Sequence, residues 1–119
     1  MIENTMGSFI QPERIFTIAV LNCGYTSPII QKERGQYSDI FAALLAPAAE
    51  RVLRQLELAP LQILVKGYDT VNEQYPPSLE AVDAIIVSGS PNSAFQDLRW
   101  IKKLDNYISC ELALCFSRE

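Results

Sequence analysis

The segment Ala84-Ile85-Ile86-Val87-Ser88-Gly89-Ser90-Pro91-Asn92-Ser93-Ala94 constrains the fold more than any other stretch of the chain. A short apolar, β-branched run stops abruptly at a cluster of small turn formers. A strand buried on both faces of a parallel α/β sheet delivers its C-terminal end to a ligand site in this way. A second run, Ile15-Phe16-Thr17-Ile18-Ala19-Val20-Leu21, has the same near-continuous apolar character and reads as another doubly buried strand.

Between these runs the pattern alternates between strand and helix. Asn22–Pro28 ends the first strand with turn chemistry, and a polar loop is expected through Gln36. Ser38 or Asp39 can cap a helix running to about Leu58. Its apolar residues Phe41, Leu44, Leu45, Ala48, Val52, Leu53 and Leu56 recur at three- and four-residue steps. Pro47 lies inside that stripe and is expected to kink or split the helix. Pro60 closes the segment, and Leu61–Val65 reads as the second strand, leading into Lys66–Asp69. Pro76-Pro77 forces an extended stretch, and Ser78–Val82 is expected to form one helical turn. After the third strand, Ala84–Val87, Asp97 can cap a helix over Leu98–Ile108. Leu112–Phe116 reads as a fourth strand.

Strands and helices in this order imply a parallel sheet with right-handed crossovers. The expected class is α/β, a flavodoxin-like three-layer sandwich with strand order 2-1-3-4, incomplete at its C-terminal end. Residues 1–13 are expected to be a flexible arm and residues 14–119 a single partial domain. Ligands in such sheets bind beyond the carboxyl ends of the strands. That edge would carry Asn22–Ser27, Gly67–Thr70 and Ser88–Ala94, with Cys23, Tyr68 and Asp69 as candidate ligand contacts.

Composition narrows the function. Ten basic residues against 14 acidic ones give a net charge of −4. The basic residues are scattered, so nucleic acid is a poor partner. No apolar window approaches a membrane span, and Met1–Arg14 has no signal-peptide core. The location expected is cytoplasmic, with the three cysteines, Cys23, Cys110 and Cys115, as reduced thiols. They lack metal-ligand spacing, and the chain has no histidine. Neither a bound metal nor a cofactor is expected. No dinucleotide fingerprint or P-loop occurs, which leaves a phosphate- or flavin-binding role as the weakest of the functional readings.

Several blocks, in order and spacing, resemble the N-terminal half of class I glutamine amidotransferase-like proteins, over roughly residues 15–108. They are Ile18–Asn22, Gly35–Phe41, Tyr68-Asp69, Asp83–Ala94 and Trp100–Leu104. The resemblance is to the stand-alone type rather than to a synthetase fusion. It implies hydrolysis of the glutamine side-chain amide by a cysteine nucleophile that a histidine and a glutamate activate. Ser88-Gly89-Ser90-Pro91 resembles the family's Ser-Gly-Gly-Pro oxyanion loop, with Ser90 at the second glycine. The backbone N–H groups of Gly89 and Ser90 would hold the oxyanion, and a side chain at 90 would be costly there if φ were positive.

The nucleophile block departs from that pattern. The family's elbow flanks its cysteine with glycines, whereas this chain reads Ala113-Leu114-Cys115-Phe116-Ser117. Cys115 is the one candidate nucleophile, without the glycines, the histidine or the later glutamate. The expectation is a truncated form without glutaminase activity. The substrate implied by the resemblance is glutamine or a related small amide.

Plainer roles compete at each position. Ser88–Ala94 can be a simple strand-to-helix turn. Cys23 and Cys110 suit small core or edge positions. Trp100, spaced helically with Ile101, Leu104 and Ile108, suits packing more than ligand stacking. Glu50-Arg54 is an i,i+4 surface pair. The alternative function is a non-catalytic interaction or dimerisation module, in which a homo-oligomer or other partner covers an incomplete sheet.

Overall fold

The computed structural model describes residues 14–93 and 95–112. Its element order is β1 (Arg14–Asn22), α1 (Pro28–Arg34), α2 (Tyr37–Gln55), β2 (Leu61–Asp69), β3 (Ala84–Val87) and α3 (Arg99–Asn106). A one-turn 3₁₀ helix, Thr70–Asn72, follows β2, and a π-helical turn, Tyr107–Leu112, continues α3.

All strand pairs are parallel, in the order β2-β1-β3. This is an α/β sheet with the flavodoxin-like arrangement of its first three strands. β1 pairs with β2 along its whole length, from Arg14 opposite Leu61 to Asn22 opposite Asp69. It pairs with β3 only over Ile18–Leu21. Two flanking strands explain why β1 reads as continuously apolar: Ala19, Val20 and Leu21 are fully enclosed, and Ile18 is buried beside them. Each large apolar side chain buried this way stabilises the fold by roughly 1.5–3 kcal/mol.

The strand pleat sorts side chains onto two faces. Asn22 directs its amide to Ser38 at the start of α2, with Nδ2 donating to Ser38 Oγ at 3.3 Å. The Ser38 N–H returns a bond to Asn22 Oδ1 at 3.2 Å. The next residue, Cys23, instead lines a cleft with Ile101 and Leu104 of α3. Successive residues therefore meet helices on opposite faces of the sheet. Gly67, in register with Val20, lies on the α2 face. A Cβ there would collide with Ser38 Oγ and stand 2.9 Å from Asn22 Nδ2. This close approach explains a glycine inside a strand.

Several expectations are corrected. The loop expected through Gln36 contains α1, because Ser27 caps Ile30 N–H at 3.4 Å and Pro28 occupies the first turn. α2 is capped by Gln36, not by Ser38 or Asp39. Asp39 instead closes a capping box on the Gln36 N–H at 2.9 Å. The helix is not split by Pro47, which is exposed. β2 runs past Val65 to Asp69 because Gly67 admits Ser38. Ser78–Val82 is not helical; one turn bond joins Val82 N–H to Leu79 O at 3.2 Å. The chain must extend at once, since Asp83 N–H donates to Thr17 O at 2.8 Å. Asp97 does not cap α3, whose N-cap is Leu98; its carboxylate holds Lys102 at 2.5 Å. Leu112 closes the π turn instead of opening a fourth strand. The rest of that expected strand, Cys115 and the 1–13 arm lie outside the described residues.

α2 packs mainly on β2 and partly on β1. Phe41, Leu45, Ala48 and Leu53 are half-buried against the sheet. Leu44, Val52 and Leu56, predicted on the same stripe, are exposed. The helix ends in a Schellman motif: Leu58 N–H donates to Leu53 O at 2.9 Å and Glu57 N–H to Arg54 O at 3.2 Å. Glu57 takes the left-handed position at φ 54°. Glu50 and Arg54 pair at 2.6 Å on the water-facing side.

Candidate ligand edge at the carboxyl ends of the strands

Three connections meet beyond β1, β2 and β3. Cys23 begins the first, and its N–H donates to the Ser88 hydroxyl at 2.8 Å. Ser88 in turn donates its own N–H to Leu21 O at 3.0 Å, and its hydroxyl donates to Gly89 O at 3.0 Å. The loops also touch sterically. A Cβ on Gly24 would stand 2.9 Å from Pro91 Cδ. The turn after β3 is thus held directly against the turn after β1.

The second connection closes from the other side. The Thr70 side chain is fully buried, and its hydroxyl donates to Asn22 O at 2.9 Å while lying 3.4 Å from Cys23 Sγ. The Cys23 thiol faces Leu21 O at 3.5 Å. With 2 % of its surface exposed, Cys23 is enclosed. Farther out, Tyr25 donates its hydroxyl to Asp69 Oδ2 at 2.9 Å. Asn72 Nδ2 donates to the same carboxylate at 2.8 Å and to the Tyr25 oxygen at 3.1 Å. The hydrogen bond to the Asp69 carboxylate raises the Tyr25 pKa above its usual value, with desolvation adding to it.

Gly89 and Ser90 occupy the turn itself. Neither has a left-handed φ; among the described residues the positive values belong to Gly35, Glu57 and Glu73. The serine at position 90 is therefore unstrained, and the cost anticipated for a side chain there does not arise. A Cβ on Gly89 would meet nothing within 4 Å. Among the described residues, neither the Gly89 nor the Ser90 N–H is engaged by a protein acceptor.

A cleft of about 240 Å³ opens beside this turn. Cys23, Ser88 and Ser90 line it on the sheet side, and Trp100, Leu104 and Asp105 on the helix side. The other candidate contacts, Tyr68 and Asp69, do not reach it. Tyr68 is half-buried within β2, and Asp69 is bound to Tyr25 and Asn72. Sequence reasoning missed Thr70 and Ser88 as the groups that seal Cys23. No sequence signal marks them, because each acts across strands 47 and 65 residues apart in the chain.

Tyr75 closes the far side. Its ring lies on Tyr107, with centroids 4.4 Å apart, and Lys103 Nζ sits 5.8 Å from the ring centre. The Tyr75 hydroxyl is buried without a hydrogen-bond partner. Desolvation pushes its pKa up to about 12, with Cys23, Glu73 and Tyr107 adding to the shift. Glu73 receives Arg99 at 3.0 Å and Lys103 at 3.4 Å, tying α3 to the 3₁₀ turn.

At this edge the Gly89 and Ser90 N–H groups have no protein acceptor among the described residues, and the Cys23 thiol is enclosed. A cysteine nucleophile needs a base, and the chain contains no histidine. Among the described residues, no group of three or more His, Cys, Asp or Glu side chains could hold a metal ion. No described helix is long and apolar enough to cross a membrane. Comparison with family models, curated proteins and solved structures finds no match to this chain.

Proposed function

We propose that this chain is a class I glutamine amidotransferase-like domain that binds a small amide, glutamine or a relative, at its carboxyl edge without hydrolysing it. One observation carries the reading: the Ser88-Gly89-Ser90-Pro91 turn holds two backbone N–H groups that no acceptor among the described residues engages, at the end of β3. An amide oxygen needs such donors, preorganised and facing the ligand edge. The unstrained Ser90 keeps its N–H available despite replacing a glycine.

Hydrolysis lacks its remaining parts. Cys23 is enclosed, its thiol faces a carbonyl, and no imidazole exists to take its proton. A cytoplasmic setting belongs to this reading, with Cys23 and Cys110 as free thiols.

Glutamine titrated calorimetrically into purified protein is expected to bind saturably, with no ammonia released. Absence of binding by glutamine and other small primary amides would remove the reading. Ammonia release that vanishes in Cys115→Ala would replace it with an active enzyme.

A second reading, an interaction or dimerisation module, is favoured by the apolar residues exposed along α1 and α2. Ile29 is 71 % exposed and Leu44 63 %, and Val52 and Leu56 are exposed as well. A sizing column tests its dimerisation form, which requires a species larger than the monomer.

A further inference from the structure

The cleft between α3 and the Ser88–Ser93 turn has a chemical asymmetry that amide binding does not use. Its helix wall is one face of α3 and the π turn, where Trp100, Ile101, Leu104, Asp105 and Ile108 recur at helical spacing. Four of these are apolar, and the fifth is a carboxylate. Asp105 thus stands in the cleft-facing stripe where an apolar residue would continue the pattern.

The Asp105 carboxylate has no ion pair or hydrogen bond among the described residues. The two lysines on its own helix are committed elsewhere: Lys102 to Asp97 at 2.5 Å, and Lys103 to Glu73 at 3.4 Å. Among the described residues, no Lys or Arg lines the cleft. The chain as a whole carries −4, so its field draws cations inward. The cleft therefore offers an apolar wall, a rim of serine and asparagine side chains and, exposed at its edge, one carboxylate with no ion-pair partner among the described residues.

We propose that this cleft is a binding site for a small primary ammonium compound with a short apolar or aromatic body, its cation on Asp105 and its body against Trp100 and Leu104. The volume of about 240 Å³ matches a ligand of roughly eight to ten non-hydrogen atoms. A ligand of that size in a half-open cleft binds at about millimolar affinity. The site requires neither a nucleophile nor the N–H groups of Gly89 and Ser90, so it stands apart from amide binding.

Trp100 is the chain's single tryptophan and lines the cleft, so its fluorescence reports occupancy directly. Phenethylamine is the probe, and 3-phenylpropionate, of similar shape and opposite charge, is the control. Saturable change with the amine and none with the acid is expected. Asp105→Asn is expected to weaken the amine about fivefold, and Asp105→Glu to restore it, with far-UV circular dichroism unchanged in both. No saturable response to the amine, equal binding of the acid, or full affinity in Asp105→Asn overturns the proposal. A failed amine titration beside successful glutamine binding overturns this inference alone. The converse result removes only the amide reading.

Discussion

The backbone N–H of Cys23 donates to the hydroxyl of Ser88 at 2.8 Å, joining the ends of β1 and β3 through a buried bond. Ser88→Ala leaves that N–H without an acceptor in a place water does not reach. The expected loss is about 1–3 kcal/mol, read as a lower urea midpoint with an unchanged slope. Ser88→Thr keeps the hydroxyl and is expected to recover most of it.

Gly24 allows Pro91 to approach, and a methyl group there would stand 2.9 Å from the proline ring. Gly24→Ala is expected to cost about 1–3 kcal/mol and to push the Gly89-Ser90 turn outward. Gly89→Ala, with open space around its Cβ, is expected to change stability by less than about 0.5 kcal/mol. Thermal melts of the two variants side by side check the contrast.

Glu57 ends α2 in a left-handed conformation at φ 54° that a glycine adopts without strain. Glu57→Gly is expected to stabilise the fold by roughly 1 kcal/mol. An increase in the denaturation midpoint tests this, and a decrease would show that the Schellman cap carries no strain.

Tyr75 titrates at about 12, above the usual tyrosine value near 10. The folded state therefore holds this proton more tightly than the unfolded chain does. The stability it contributes is intact below pH ~10 and is lost as pH rises through about 12. Unfolding monitored across that range is expected to lose this contribution in Tyr75→Phe, which has no proton to release.

Where burial was continuous, the order of residues announced the structure. β1 is enclosed over Ile18–Asn22 and β3 is half-buried over Ala84–Ile86, so their apolar runs could be recognised without knowing their partners. The flavodoxin-like order of the first three strands followed from the alternation of elements. α1 escaped because it buries no residue and so has no apolar rhythm; its only signature was Ser27-Pro28. The full length of β2 depended on Gly67 meeting Ser38, a contact made across the fold. At the candidate site, Cys23 and Ser90 were legible as strand-end residues. The seal around Cys23 was not, because Thr70 and Ser88 arrive from different strands. Asp105 did leave a trace: a charge four residues after Ile101, on the face that Leu104 and Ile108 also occupy.

The pairing of Asp83 with Thr17 has a consequence for how the chain keeps company with itself. Before Ile18, β1 has no strand on its β3 side among the described residues, and that notch could accept another polypeptide. Asp83 fills the first place in it twice over: its N–H meets Thr17 O at 2.8 Å, and its carboxylate receives the Thr17 N–H at 2.8 Å. A negatively charged stopper now sits where an incoming backbone would begin to zip, and fibril-like growth from that gap is blocked at its first rung.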